Sequence, residues 1–224
     1  MRVLAGFTTF HGMSVALEAD GKGQVWRFDA RGLEVLPLSQ EASQVPTLLK
    51  PLAPLFLTEG HPLSLGEKLL LAGVGIASVV GGLFRHEPLW GAYFLLGYLS
   101  LGPLLRPLPI WGWHALEHKL VSLLEAAPLP KEEEALKRAL LEASPLHRGC
   151  GTLFGLALAL AFALLTPLLP LGLALPLGYL LAWGGWRTGT TSLLLPFQGL
   201  FLAPPRPWQV EAVVRGLARR PPSP

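Results

Sequence analysis

The alternation of apolar and polar positions is tightest near the N-terminus. The stretches "SVALEA" (14–19) and "QVWRFDA" (24–30) flank "DGKG", a tight-turn signal, so a β-hairpin is predicted there. "ARGLEVLPL" offers a third strand after the Arg31-Gly32 turn. A lone hairpin is marginal in water, so this unit, residues 1–37, is expected to pack on another element. Residues 38–66 are rich in Pro and Leu without a clean period, and "VPTLLKPLAPLFL" reads as a short interfacial segment.

Beyond residue 66 the pattern changes to long apolar runs. The first is 69–84, bounded by Lys68 and Arg85; the second is 89–105, ended by Arg106. At helical rise these reach roughly 24–26 Å, a little short of a ~30 Å hydrocarbon core, with flanking Trp and Arg covering the difference. A third run opens near Gly151 and ends before Pro167; a fourth spans 172–186, with Pro176 as a kink. Four transmembrane helices are the expectation. Gly73, Ala77 and Gly81 form a small-residue stripe on the first, fit for packing within one chain or for a homo-oligomer contact. Between the second and third runs, Ile110, Trp113, Leu116, Leu120 and Leu124 recur at helical spacing up to Pro128. "KEEEALKRALLEAS" gives a second polar helix, with Glu133 facing Lys137 and Glu134 facing Arg138.

Composition supports the lipid reading. Hydrophobic residues make up 51% of the 224, and only 15% are charged, against about 25% in an ordinary soluble domain. Of 18 Lys and Arg, six lie in 1–68, six in 106–150 and five after 186, leaving Arg85 alone in the other set of loops. The positive-inside rule then places both termini and 106–150 in the cytoplasm of a multi-pass inner-membrane protein. Trp90, Trp111, Trp113, Trp183 and Trp186 sit at run ends, as interfacial belts do. The N-terminus turns polar too soon for a cleavable signal. The net charge of +3 carries no basic, aromatic-interleaved patch, so nucleic acid is not an expected partner. The lipid bilayer is.

The organisation so predicted is an α-helical integral membrane protein in five segments. Residues 1–66 form a β unit with the interfacial stretch, and 67–106 hold the first two membrane helices. Residues 107–150 form a cytoplasmic helical hairpin, 151–187 hold the last two membrane helices, and 188–224 are a cytoplasmic tail. In that tail Val210, Val213, Val214 and Leu217 form one face of a short helix, with Arg215, Arg219 and Arg220 beyond it. That face suits packing on the domain or on an anionic leaflet.

The candidate chemistry lies in "WGWHALEHKL" (111–120). His114 and His118 are neighbours on one helical face, and two imidazoles so placed can share a divalent metal. Glu117 can be a third ligand, an orienting partner or a general base. The alternative is a pair of interfacial polar histidines. His147 and Cys150, the chain's single cysteine, stand just before a helix whose N-terminus favours a thiolate. One site holding zinc or another divalent metal through His114, His118, His147 and Cys150, with Glu117 in or beside the shell, unites both clusters.

"HALEHK" followed by "LHRGCGTLF" resembles the YqhQ-like bacterial membrane proteins, with matching positions at His114, Glu117, His118, Lys119, His147, Cys150, Gly151 and Thr152. Fainter likeness extends to "FTTFHGMSVAL" and to the tail, where Gln198 and Glu211 align. There are departures. Arg148 sits one position early, Tyr179-Leu180 stands for the family's Tyr-Glu pair, and His11 replaces an N-terminal carboxylate, as a ligand substitute or a surface residue. The resemblance implies a metal-dependent membrane enzyme without a defined substrate. Two functions follow. One is a hydrolase at the cytoplasmic membrane interface, with Glu117 as base and Lys119 or Arg148 positioning an anionic group. The other is a non-enzymatic scaffold with a structural metal that staples the helical hairpin to the helix bundle.

Overall fold

The computed structural model describes residues 2–19, 22–38, 82, 85–126 and 128–219. These fall into two compact units. One comprises Met1–Thr47, Leu104–His147 and Gly199–Pro224; the other comprises Leu48–Pro103 and Arg148–Gln198.

The first unit is built on an antiparallel meander of β1 (Arg2–Thr8), β2 (Gly12–Ala19), β3 (Lys22–Asp29) and β4 (Gly32–Pro37), in that order. Alternation in β2 turns Met13, Val15 and Leu17 to one face. Register sets Met13 opposite Phe28 and Val15 opposite Trp26, so the large side chains of β3 share that face. All five are at most 1% exposed. Two helices of this unit follow, α1 being reserved for the earlier helix Trp90–Leu104. They are α2 (Ile110–Ala126) and α3 (Glu133–Glu142). On α2 the stripe Trp113, Leu116 and Leu120 enters the sheet's core, joined by Leu136 and Leu140 of α3. Each such side chain contributes roughly 1.5–3 kcal/mol relative to exposure. Because α2 is buried on every side from Gly112 to Val121, its polar face is enclosed as well.

The second unit packs α4 (Gly151–Leu165) against α5 (Leu171–Thr188). Phe94 of α1 meets Phe162 of α4 edge to face at 5.6 Å. The Thr166 hydroxyl donates to the Pro88 carbonyl at 3.2 Å. The unit keeps apolar side chains on its surface, including Leu96, Leu164, Leu168 and Leu181. Short helical turns run from Thr190 to Phe201, and α6 (Pro207–Ala218) completes the first unit. On α6, Val210, Val213, Val214 and Leu217 are buried in the core of that unit.

These observations correct the four-span reading. Among the described residues no helix is long and apolar enough to cross a membrane. Helices α1 and α4 have 15 residues each, about 22 Å at helical rise against a core of about 30 Å. Helix α5 has 18 residues but includes Pro176, Arg187 and four glycines. The run at 69–84, with its Gly73/Ala77/Gly81 stripe, and the interfacial stretch 45–57 lie outside the described residues, Gly82 apart. The α-helical integral membrane fold, and with it the multi-pass inner-membrane placement with cytoplasmic termini, is overturned. What stands instead is one unit in which an antiparallel sheet packs with helices, and a second unit of short apolar helices. The apolar runs were legible; the lengths of the helices they form were not.

Candidate metal centre

Helix α2 sets the site's frame. One helical turn separates His114 from His118, and their rings lie 4.3 Å apart, centroid to centroid, at 57°. Glu117 lies between them in sequence, and Oε2 of its carboxylate accepts two bonds. One comes from His114 Nδ1 at 3.2 Å and one from the hydroxyl of Thr8, on β1, at 2.9 Å. All three α2 residues are buried, at 8%, 7% and 1% exposed for His114, Glu117 and His118. Strand β1 passes so close that a Cβ on Gly6 would lie 2.6 Å from the Glu117 carboxyl carbon, so any larger residue there would push the carboxylate aside.

Burial by itself would raise the Glu117 carboxyl. The His114 hydrogen bond, the nearby charges of His114 and His118, and the Thr8 hydroxyl outweigh it and hold the group below the usual glutamate value. The carboxylate is therefore ionised and acts only as an acceptor, which puts the proton of His114 on Nδ1.

The tautomer of His118 follows from a separate contact. Its Nδ1 lies 2.6 Å from the carbonyl oxygen of Pro145. A carbonyl cannot donate, so Nδ1 carries the proton and Nε2 carries the bare lone pair. That Nε2 is buried and, among the described residues, has no hydrogen-bond partner. A buried acceptor left unmatched costs roughly 1–3 kcal/mol. A histidine that gives Nδ1–H to a carbonyl or a carboxylate and keeps Nε2 open is the form that binds metals. His118 has it, and His114 likewise gives its Nδ1–H to the Glu117 carboxylate.

Cys150 is the N-cap of α4. Its sulfur accepts the Thr152 N–H at 3.3 Å and lies 2.9 Å from the Thr152 hydroxyl. It stands three residues after His147, which an extended chain spans in about 10 Å at most. The His147 ring is 5.9 Å from that of His118, so the chain itself tethers the cysteine near the pair. Cys150 itself belongs to the second unit, which resumes at Arg148, directly after His147.

The remaining candidates are placed otherwise. The Nε2 of His147 meets the Glu125 carboxylate at 3.3 Å. Lys119 is buried, which pushes its ammonium below the ordinary lysine value, and it donates to the carbonyls of Leu141 and Ala143 at 2.6 and 2.5 Å. It thus caps the C-terminal end of α3, where a cation offsets the helix dipole, and does not stand ready for an anionic ligand. Arg148 is exposed, and His11 is exposed in the turn between β1 and β2. Reasoning from the sequence missed Thr8 and the Pro145 carbonyl. Thr8 lies 109 positions from Glu117, and no local pattern links them.

No family model matches the chain, and neither does any curated protein or solved structure.

Proposed function

We propose that this protein binds a divalent transition-metal ion of the zinc class through Nε2 of His114, Nε2 of His118 and Sγ of Cys150, with Glu117 and Thr8 orienting His114. The observation that carries the reading is the buried, unpartnered Nε2 of His118, opposite an Nδ1–H given to a backbone carbonyl. Two imidazoles and a thiolate form a donor set that suits zinc better than the hard cations, which prefer oxygen. The His-x-x-Glu-His and His-x-x-Cys motifs shared with the YqhQ-like family support the same assignment.

The role we infer for the metal is structural. Hydrolysis with Glu117 as general base finds less support. Its carboxylate is buried and already takes the His114 and Thr8 protons, which is the bonding of an orienting group.

Elemental analysis of protein purified without chelator tests the assignment, together with cobalt substitution. Stoichiometric metal, and a sulfur-to-cobalt charge-transfer band that Cys150→Ser abolishes, are the expected results. His118→Ala is expected to remove most of the bound metal while circular dichroism stays that of the wild type. Metal-free protein that takes up neither zinc nor cobalt, or metal content unchanged in both variants, refutes the assignment.

A further inference from the structure

Away from the metal centre, the first unit carries a second candidate site. The turn before β4 and the outer face of α6 enclose a cavity of about 200 Å³. Arg31, Arg215 and Arg219 line it, along with Leu33, Val35 and Ala212, and among the described residues no acidic one does. Leu33 and Val35 alternate with Glu34 along the strand, which sends Glu34 to the opposite face. Helix and strand meet closely here: a Cβ on Gly216 would lie 2.7 Å from that of Leu33, so the helix backbone sits directly on β4.

A simpler account would make these arginines compensate the C-terminal end of α6. That end carries roughly half a negative charge, and Arg215 in the last turn already answers it, its Nε donating to the Glu211 carbonyl at 3.3 Å. Arg31 belongs to a different element, the β3–β4 turn, where its own N–H is held by the Asp29 carboxylate at 2.7 Å. Dipole compensation gives no reason for it to converge on the same cavity. Among the described residues, none of the three arginines takes part in an ion pair.

We propose that this cavity binds a small organic phosphate monoester. Guanidinium forks match phosphate oxygens two at a time, and three of them exceed the charge of one dianion. The wall of Leu33, Val35 and Ala212 gives the organic part an apolar surface. The volume lies below the roughly 300–1,000 Å³ of sites for drug-sized ligands, which limits that part to a few atoms.

Calorimetric titration of the full-length, metal-loaded protein tests this with three probes. They are phenyl phosphate, inorganic phosphate, and phosphatidylcholine vesicles containing phosphatidic acid. The expected result is one saturable site for phenyl phosphate, weaker for inorganic phosphate, with binding reduced by added salt. The double variant R31Q/R219Q weakens phenyl phosphate by about tenfold or more, since it removes two charge-assisted contacts. Val35→Glu, at an exposed position, also weakens it by setting a negative charge in the wall, and it guards against a folding defect in the arginine variant. Three results overturn the proposal: no saturable binding of phenyl phosphate, affinity unchanged in both variants, or binding confined to inorganic phosphate or to the vesicles.

Discussion

Replacing Glu117 with glutamine tests the metal centre at a residue that does not itself touch the ion. The side chain keeps its size, so the packing against Gly6 survives. What changes is the acceptor. Oε2 now receives the protons of His114 Nδ1 at 3.2 Å and Thr8 Oγ1 at 2.9 Å as a full anion. An amide oxygen accepts the same bonds at about half the strength. It also no longer raises the basicity of His114 Nε2, and its NH2 group needs acceptors that the site was not built to provide. Losses of such orienting partners typically weaken metal binding by about 10–100-fold, or roughly 1.4–2.7 kcal/mol. The metal-free protein loses less, because the substitution also removes the burial cost of the charge, which opposes the favourable contacts at this carboxyl. Competition titration with a chromophoric chelator reads the affinity. Denaturant unfolding with and without zinc reads the linkage, since a weaker site gives less metal-dependent stabilisation at fixed metal. Unchanged affinity would show that His114 does not depend on Glu117. A loss as large as that of His118→Ala would make Glu117 a direct ligand. Either result refutes the roles assigned here.

Two other outcomes follow from the same geometry. Gly6→Ala forces a methyl group against the Glu117 carboxyl; it is expected to cost about 1–3 kcal/mol by overpacking and to weaken zinc binding, and unaltered unfolding and metal titrations would contradict the close approach of β1. Tyr98 donates to the Thr152 carbonyl at 2.9 Å, and burial first, then the charge of Cys150, raises its phenol well above the ordinary 10.0. A folded value above the unfolded one means that this contribution is complete below about pH 10 and is lost as pH rises beyond it. Relative to Tyr98→Phe, the wild type should lead by about 1 kcal/mol at neutral pH and lose that lead as the solution becomes more alkaline, measured by denaturant midpoints. Parallel pH curves would refute it.

Local periodicity made part of this protein legible before any coordinates. Met13, Val15 and Leu17 alternate because a strand alternates, and Trp26 and Phe28 do the same across the turn. His114, Glu117 and His118 share a face because a helix repeats every 3.6 residues. These relations operate within a dozen residues and need no tertiary partner. The apolar runs were equally visible, yet their meaning was not. A leucine buried against another helix and a leucine facing lipid look the same in sequence. Only the ends of the helices showed α1 and α4 to be too short for a bilayer.

The tertiary structure decided what stands around the two histidines. It brought Thr8 to Glu117 across 109 positions, the Pro145 carbonyl to His118 and Glu125 to His147. It also turned Lys119 from a candidate anion binder into the cap of α3. Sequence spacing sets which side chains lie on one face of one element. Which backbone oxygen or carboxylate meets that face depends on how separate elements pack, and that packing chooses the histidine tautomer and so the nitrogen left to hold a metal.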